Sequence, residues 1–137
     1  EELVVTTCKS AAHPLNGVML YRVHYQNKSF VYATDIEQQE GGIPEVIEFA
    51  RGADLLIHDA QYLPEEYFSR TKARQGWGHS TIDMAVDVAR KAEVKRLVLF
   101  HHEPTHDDKT MNEIEKQTKA LFHSAVVARE GMEISLL

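Results

Sequence analysis

Hydrophobic and polar positions alternate most clearly over residues 18–25. There Met19, Tyr21, Val23 and Tyr25 share one face, and Arg22 and His24 share the other. A period of two marks a strand, and it places His24 on the surface. Gln26-Asn27-Lys28 turns the chain, and residues 29–34 return as the second arm of a hairpin, with Asp35 just past its end. A β-branched run over residues 3–7 predicts a strand before it. The loop 9–17 between them carries His13, with Pro14 and Gly17 as punctuation.

The pattern then changes. Gly41-Gly42 breaks the chain and Pro44 suits a first helical turn, with Val46, Ile47 and Ala50 as the apolar face and an end near Gly52. Residues 54–58 and 97–100 are short apolar runs of buried-strand type, and each ends in titratable residues: His58-Asp59 and His101-His102. A brief helix is predicted over residues 64–68. The polar loop 70–78 follows, with Arg70, Lys72, Arg74 and Trp77. The clearest helix is residues 80–92, with Ser80 as its cap, Asp83 three residues on, and Ile82, Ala85, Val86 and Ala89 as its stripe. A long helix from Asp107 or Asp108 turns Met111, Ile114, Leu121 and Phe122 inward. Strands are predicted at residues 125–128 and 132–136, separated by Gly131. Strands first, then alternating helices and strands, give an α+β layered sheet with helices on one face.

Composition narrows the function classes. The 137 residues suffice for one domain with a core, and 43% hydrophobic content is ordinary for a globular chain. A net charge of −6 argues against a general nucleic-acid binder. Cys8 is the single cysteine, so no intrachain disulfide can form, which fits a reducing cytoplasm. No apolar run reaches membrane-spanning length and no signal peptide is recognisable, so no membrane partner is expected. The chain begins with Glu1 rather than Met, as a processed product or a part of a longer polypeptide would.

Five positions share one kind of address. His13, Asp35, Asp59, His79 and His101 all stand at strand ends or at a helix start. Sheets hold such residues rigid while loops leave room for a ligand. Imidazoles and carboxylates without cysteine suit zinc, manganese or iron. Singly, each has a plainer structural explanation: a turn aspartate, a loop histidine before proline, a histidine capping a sheet. His79 stands before the start of helix 80–92, whose first-turn N–H groups would form an anion site. There it could protonate a leaving group, with Asp59 fixing its tautomer. The three cations of loop 70–78 would steer a phosphate, and Trp77 could stack on a base or simply pack on the domain.

Gly78-His79-Ser80-Thr81, Leu55-Leu56-Ile57-His58-Asp59-Ala60 and Leu97-Val98-Leu99-Phe100-His101 resemble motifs of the metallo-β-lactamase superfamily. Ala33-Thr34-Asp35 resembles its bridging-aspartate motif. His13-Pro14, followed by a glycine turn and Leu20-Tyr21-Arg22, resembles its third metal motif. Ala128-Arg129-Glu130-Gly131-Met132 resembles its closing strands. The branch most similar is that of the phosphodiesterases that include RNase Z. The resemblance implies part of a four-layer αββα sandwich: residues 1–137 would be a single domain, the carboxyl-terminal half. The H-x-H-x-D-H motif of the amino-terminal half is absent.

By the same resemblance, His13 and His101 (or His102, one residue on) would each bind one of two divalent metal ions, and Asp35 would bridge them. His79 and Asp59 would be catalytic; Ser80, Arg74 and Trp77 would bind substrate. The implied activity is a metal-dependent phosphodiester hydrolase in which the ions activate water for in-line attack. Zinc is the first expectation, with manganese or iron as alternatives. The short connection between His13 and Asp35 leaves no room for the protruding arm of the tRNA-processing members and favours a small phosphodiester. The missing half, or a second copy, is the expected partner. The alternatives are a non-catalytic sensor or assembly domain of the same fold and a lactone or thioester hydrolase.

Overall fold

The computed structural model describes residues 2–136, arranged as one six-stranded sheet in sequential order, β1 to β6. β1 (Val4–Ser10), β2 (Val18–Tyr25) and β3 (Lys28–Ala33) are antiparallel; β4 (Leu55–Asp59), β5 (Leu97–Phe100) and β6 (Ala125–Val127) run parallel to β3. The helices fill the crossovers: α1 (Pro44–Ala50), α2 (Pro64–Tyr67), α3 (Ile82–Lys91) and α4 (Asp108–Leu121). None is long and apolar enough to cross a membrane.

Strand alternation sets the layers. Leu20, Val31, Ala33, Leu56, Leu97, Leu99, Ala125 and Val127 are buried in one core with Val46, Ala85, Val88 and Ile114 from the helices. Met19, Tyr21 and Tyr25 point away from it and are 42%, 43% and 38% exposed, so the expected apolar face is open; Val23 is half-buried. Arg22 and His24 fall on the helix side, so His24 is half-buried rather than a surface residue. Arg22 donates to the carbonyls of Phe49 and Arg51, both at 2.9 Å, and so satisfies acceptors that the end of α1 leaves open.

Three expectations are corrected. The cap of α3 is Thr81, whose hydroxyl accepts from Met84 N–H at 3.2 Å; Ser80 is fully buried, donating to Ile36 O and accepting from Gln38 N–H. The interior carbonyl outcompetes the helix end for the Ser80 hydroxyl, and Thr81 stands one residue nearer the helix. Residues 132–136 form no strand. Met132, Ile134 and Leu136 instead line an apolar groove with Val23, Phe30 and Ile57 on the open sheet face, where apolar side chains meet apolar side chains. Leu121 is 45% exposed, because Thr118 occupies the buried position of the last turn of α4.

The topology gathers one edge. Ala33 pairs with His58, and Asp59 with Phe100, so the carboxyl ends of β3, β4 and β5 are level. The β1–β2 connection lies at that same edge, because both antiparallel pairings bring it there.

Candidate active site

Asp35 and His101 leave their strands in the left-handed region, with φ of 54° and 59°. Non-glycine residues adopt it at a cost of about 1–2 kcal/mol. Strain of this kind collects at functional sites. The turn aims both side chains at each other: His101 Nε2 lies 3.3 Å from Asp35 Oδ1. Thr34 Oγ1 donates to the other Asp35 oxygen at 2.8 Å.

Asp59 is fully buried at the end of β4. Its Oδ2 accepts from His79 Nδ1 at 2.8 Å, and its Oδ1 accepts from the N–H groups of Ser80 at 3.0 Å and Gln61 at 3.3 Å. The His79 ring is stacked on His101, with centroids 4.5 Å apart and planes 18° apart, and meets His13 edge to face at 5.6 Å. Burial works against the imidazolium, but the hydrogen bond and charge of Asp59, with Asp35 and Glu37 beyond, outweigh it and hold the His79 pKa above its ordinary value.

Two overlapping donor groups result: His13, Asp35 and His79, and Asp59, His79 and His101, each with donor atoms within 4.8 Å of one another. This donor set, rich in nitrogen and oxygen and free of sulfur, fits a divalent cation of the zinc, manganese or iron kind. His101 Nδ1 is buried without a partner among the described residues. All five residues expected at one address thus meet. His102 turns aside, and its Nε2 bonds the Ala128 carbonyl at 3.1 Å. His106 pairs with Glu66 at 2.7 Å, and Asp107 caps α4.

The expected anion site at the start of α3 is corrected. Ile82 N–H donates to Tyr62 O and Met84 N–H to Thr81 Oγ1, so the chain itself fills that helix start. The Ser80 hydroxyl faces the interior, and this residue reaches the site through its N–H to Asp59. In the loop before His79, Arg74 lies over both Trp77, at 4.9 Å, and Tyr62, at 5.7 Å; Lys72 covers Trp77 at 5.8 Å. Trp77 is 48% exposed, and Tyr62 meets His79 edge to face. Gly78, at φ 93°, sits against His13: a Cβ there would come 2.7 Å from His13 Cδ2 and 2.5 Å from Pro14 Cδ.

Sequence reasoning missed Glu37, which contacts this loop, and Gln38, whose amide meets the buried His58 beneath the edge. For Glu37 the one available signal was that Gly76 and Gly78 expose N–H groups that need an acceptor.

A family profile described as beta-lactamase superfamily domain matches residues 4–102. The chain is 35% identical over 111 residues to a ribonuclease Z of Prochlorococcus marinus, covering 79% of this chain and 33% of that protein. It therefore spans about a third of the length of the curated relatives it matches. Among solved structures, the metallo-beta-lactamase fold protein YhfI from Bacillus subtilis superposes with a TM-score of 0.74 at 23% identity, over 95% of this chain and 48% of that one. The short form of human tRNase Z superposes with a TM-score of 0.67 at 21% identity, over 100% of this chain and 44% of that one.

Proposed function

Because this chain belongs to the metallo-β-lactamase superfamily, in its RNase Z-like branch, we propose that it supplies half of the active site of a metal-dependent phosphodiester hydrolase. The observation that carries this reading is the convergence of His13, Asp35 and His101 around His79, itself paired with the buried Asp59. A relative named ribonuclease Z acts on RNA, whose backbone linkage is a phosphodiester, and this supports the bond type.

His13, Asp35 and His101 would hold the metal ions, with Asp35 between the two histidines. The chemistry available from divalent ions at such a site is polarisation of phosphoryl oxygens and a lowered pKa for water.

The chain's own residues do the rest. Asp59 is an acceptor, so His79 must carry its proton on Nδ1 toward Asp59. Nε2 is then the nitrogen left to exchange a proton with substrate. The Asp59 carboxylate favours the doubly protonated ring, as an acid for the leaving oxygen requires. Ser80 N–H and Gln61 N–H hold the Asp59 carboxylate in place. Arg74 and Lys72 draw the anionic substrate in, and Trp77 offers a stacking face for a base.

A turn of only Gln26-Asn27 joins β2 to β3, which supports a small phosphodiester such as a cyclic nucleotide. The open Met19, Tyr21, Tyr25 face is the surface for the remaining polypeptide or a second chain. The test is a substrate comparison with the full-length protein. Turnover of a phosphodiester, with lactones and thioesters turned over far more slowly, is expected; the reverse order would overturn the reading.

A further inference from the structure

Glu37 stands two residues past Asp35 and joins four segments. Its Oε1 accepts from Gly76 N–H at 2.7 Å and from the Tyr67 hydroxyl at 2.5 Å; its Oε2 accepts from Gly78 N–H at 2.8 Å. Its own N–H donates to Ala12 O at 2.8 Å, one residue before His13. The segments carrying Asp35, His13 and His79 thus converge on one residue, through its backbone N–H and its carboxylate, with α2 as the fourth. Burial and the carboxylate push the Tyr67 hydroxyl well above its ordinary range, so it remains a donor.

The chemistry calls for a carboxylate. Gly76 and Gly78 flank Trp77 in a loop whose backbone N–H groups turn inward, and both glycines have φ above 80°. Only an acceptor with two free oxygens meets two N–H groups and a hydroxyl at once, and hydrogen bonds to a charged acceptor are the strong kind. Gly78 leaves no room for a Cβ between itself and the His13 ring, so the position of this N–H sets how closely the loop approaches His13.

We propose that Glu37 is a positioning residue, a brace that fixes loop 69–78 and thereby the placement of His79 and Trp77 relative to His13. Its catalytic weight rests on the hydrolytic reading above; its structural part does not.

The test uses amide hydrogen exchange and kinetics on the full-length protein. In E37Q the amide oxygen can still take Gly76 N–H and Tyr67, but an NH2 group then faces Gly78 N–H. Exchange at Gly76–Gly78 is expected to rise about tenfold or more, with β4 unchanged. kcat is expected to fall by about 10–100-fold at constant metal content, as for misplaced catalytic groups. E37D, shorter by one methylene, should show the same pattern at smaller amplitude if E37Q fails to fold. Y67F, which leaves both loop hydrogen bonds in place, should leave exchange at Gly76–Gly78 unchanged. Unchanged exchange in E37Q and E37D would overturn the brace, and raised exchange with unchanged kcat would overturn its role in positioning. A wild-type protein inactive on phosphodiesters would overturn the hydrolytic reading instead, and the exchange data would still decide the brace.

Discussion

The Nδ1 of His79 donates to Oδ2 of Asp59 at 2.8 Å, and that carboxylate is wholly excluded from solvent. A buried carboxylate is an expensive neighbour unless its lone pairs are used, and here three N–H groups use them. The pair raises the His79 pKa and orients the ring. If His79 is the acid, kcat should fall on the alkaline side as the ring loses its second proton. D59N should move that limb to lower pH. H79A should lower kcat by about 10²–10⁴-fold and spare a substrate with a nitrophenolate leaving group. Equal losses for both leaving groups would contradict acid catalysis.

The loop before His79 gives a second expectation. Arg74 lies over Trp77 and over the buried Tyr62, and Tyr62 borders His79, so a chain of ring contacts joins the loop to the site. Replacing Arg70, Lys72 and Arg74 with Gln should raise KM and flatten its salt dependence, with little change in kcat. W77A should raise KM for a nucleotide substrate and not for a phosphodiester without a base. Unchanged KM values throughout would reduce the loop to a connector.

How far the sequence carries depends on the range of the interaction. His13, Asp35, His79 and His101 were legible because strand ends and local motifs place them, and parallel strands in sequence order then bring the ends level. Ser80 and Thr81 were not separable, since either hydroxyl can cap a helix. Their division follows from Ile36 and Gln38, which lie far away in the chain. Residues 132–136 have the alternation of a strand, yet that alternation serves equally well to lay Met132, Ile134 and Leu136 on an open sheet face. Glu37 carries no local signal, because its three donors come from distant segments.

His58 yields a prediction about stability. It is fully buried; its Nδ1 donates to Asp59 O at 2.7 Å, and its Nε2 accepts from Gln38 at 3.1 Å. Burial lowers its pKa, against weaker opposing effects of Asp59. Below about pH 6.5 the unfolded chain therefore takes up a proton at this position that the folded chain refuses. Stability from this residue is present above that pH and is lost as the pH falls. Denaturant unfolding between pH 7.5 and 5.5 should give a shallower slope for H58L than for the wild type, despite lower stability overall. His79, with its raised pKa, acts in the opposite sense and is common to both proteins. Equal slopes would contradict a neutral buried His58.

His13, Asp35 and His101 of this chain are proposed to hold the metal ions. The most direct measurement is anomalous scattering at the zinc, manganese and iron edges from crystals of the full-length protein. Two anomalous peaks are expected, one within about 2.0–2.2 Å of a His13 nitrogen and an Asp35 oxygen, the other within the same distance of a His101 nitrogen and an Asp35 oxygen. A metal peak elsewhere, with none beside these three side chains, would contradict this assignment.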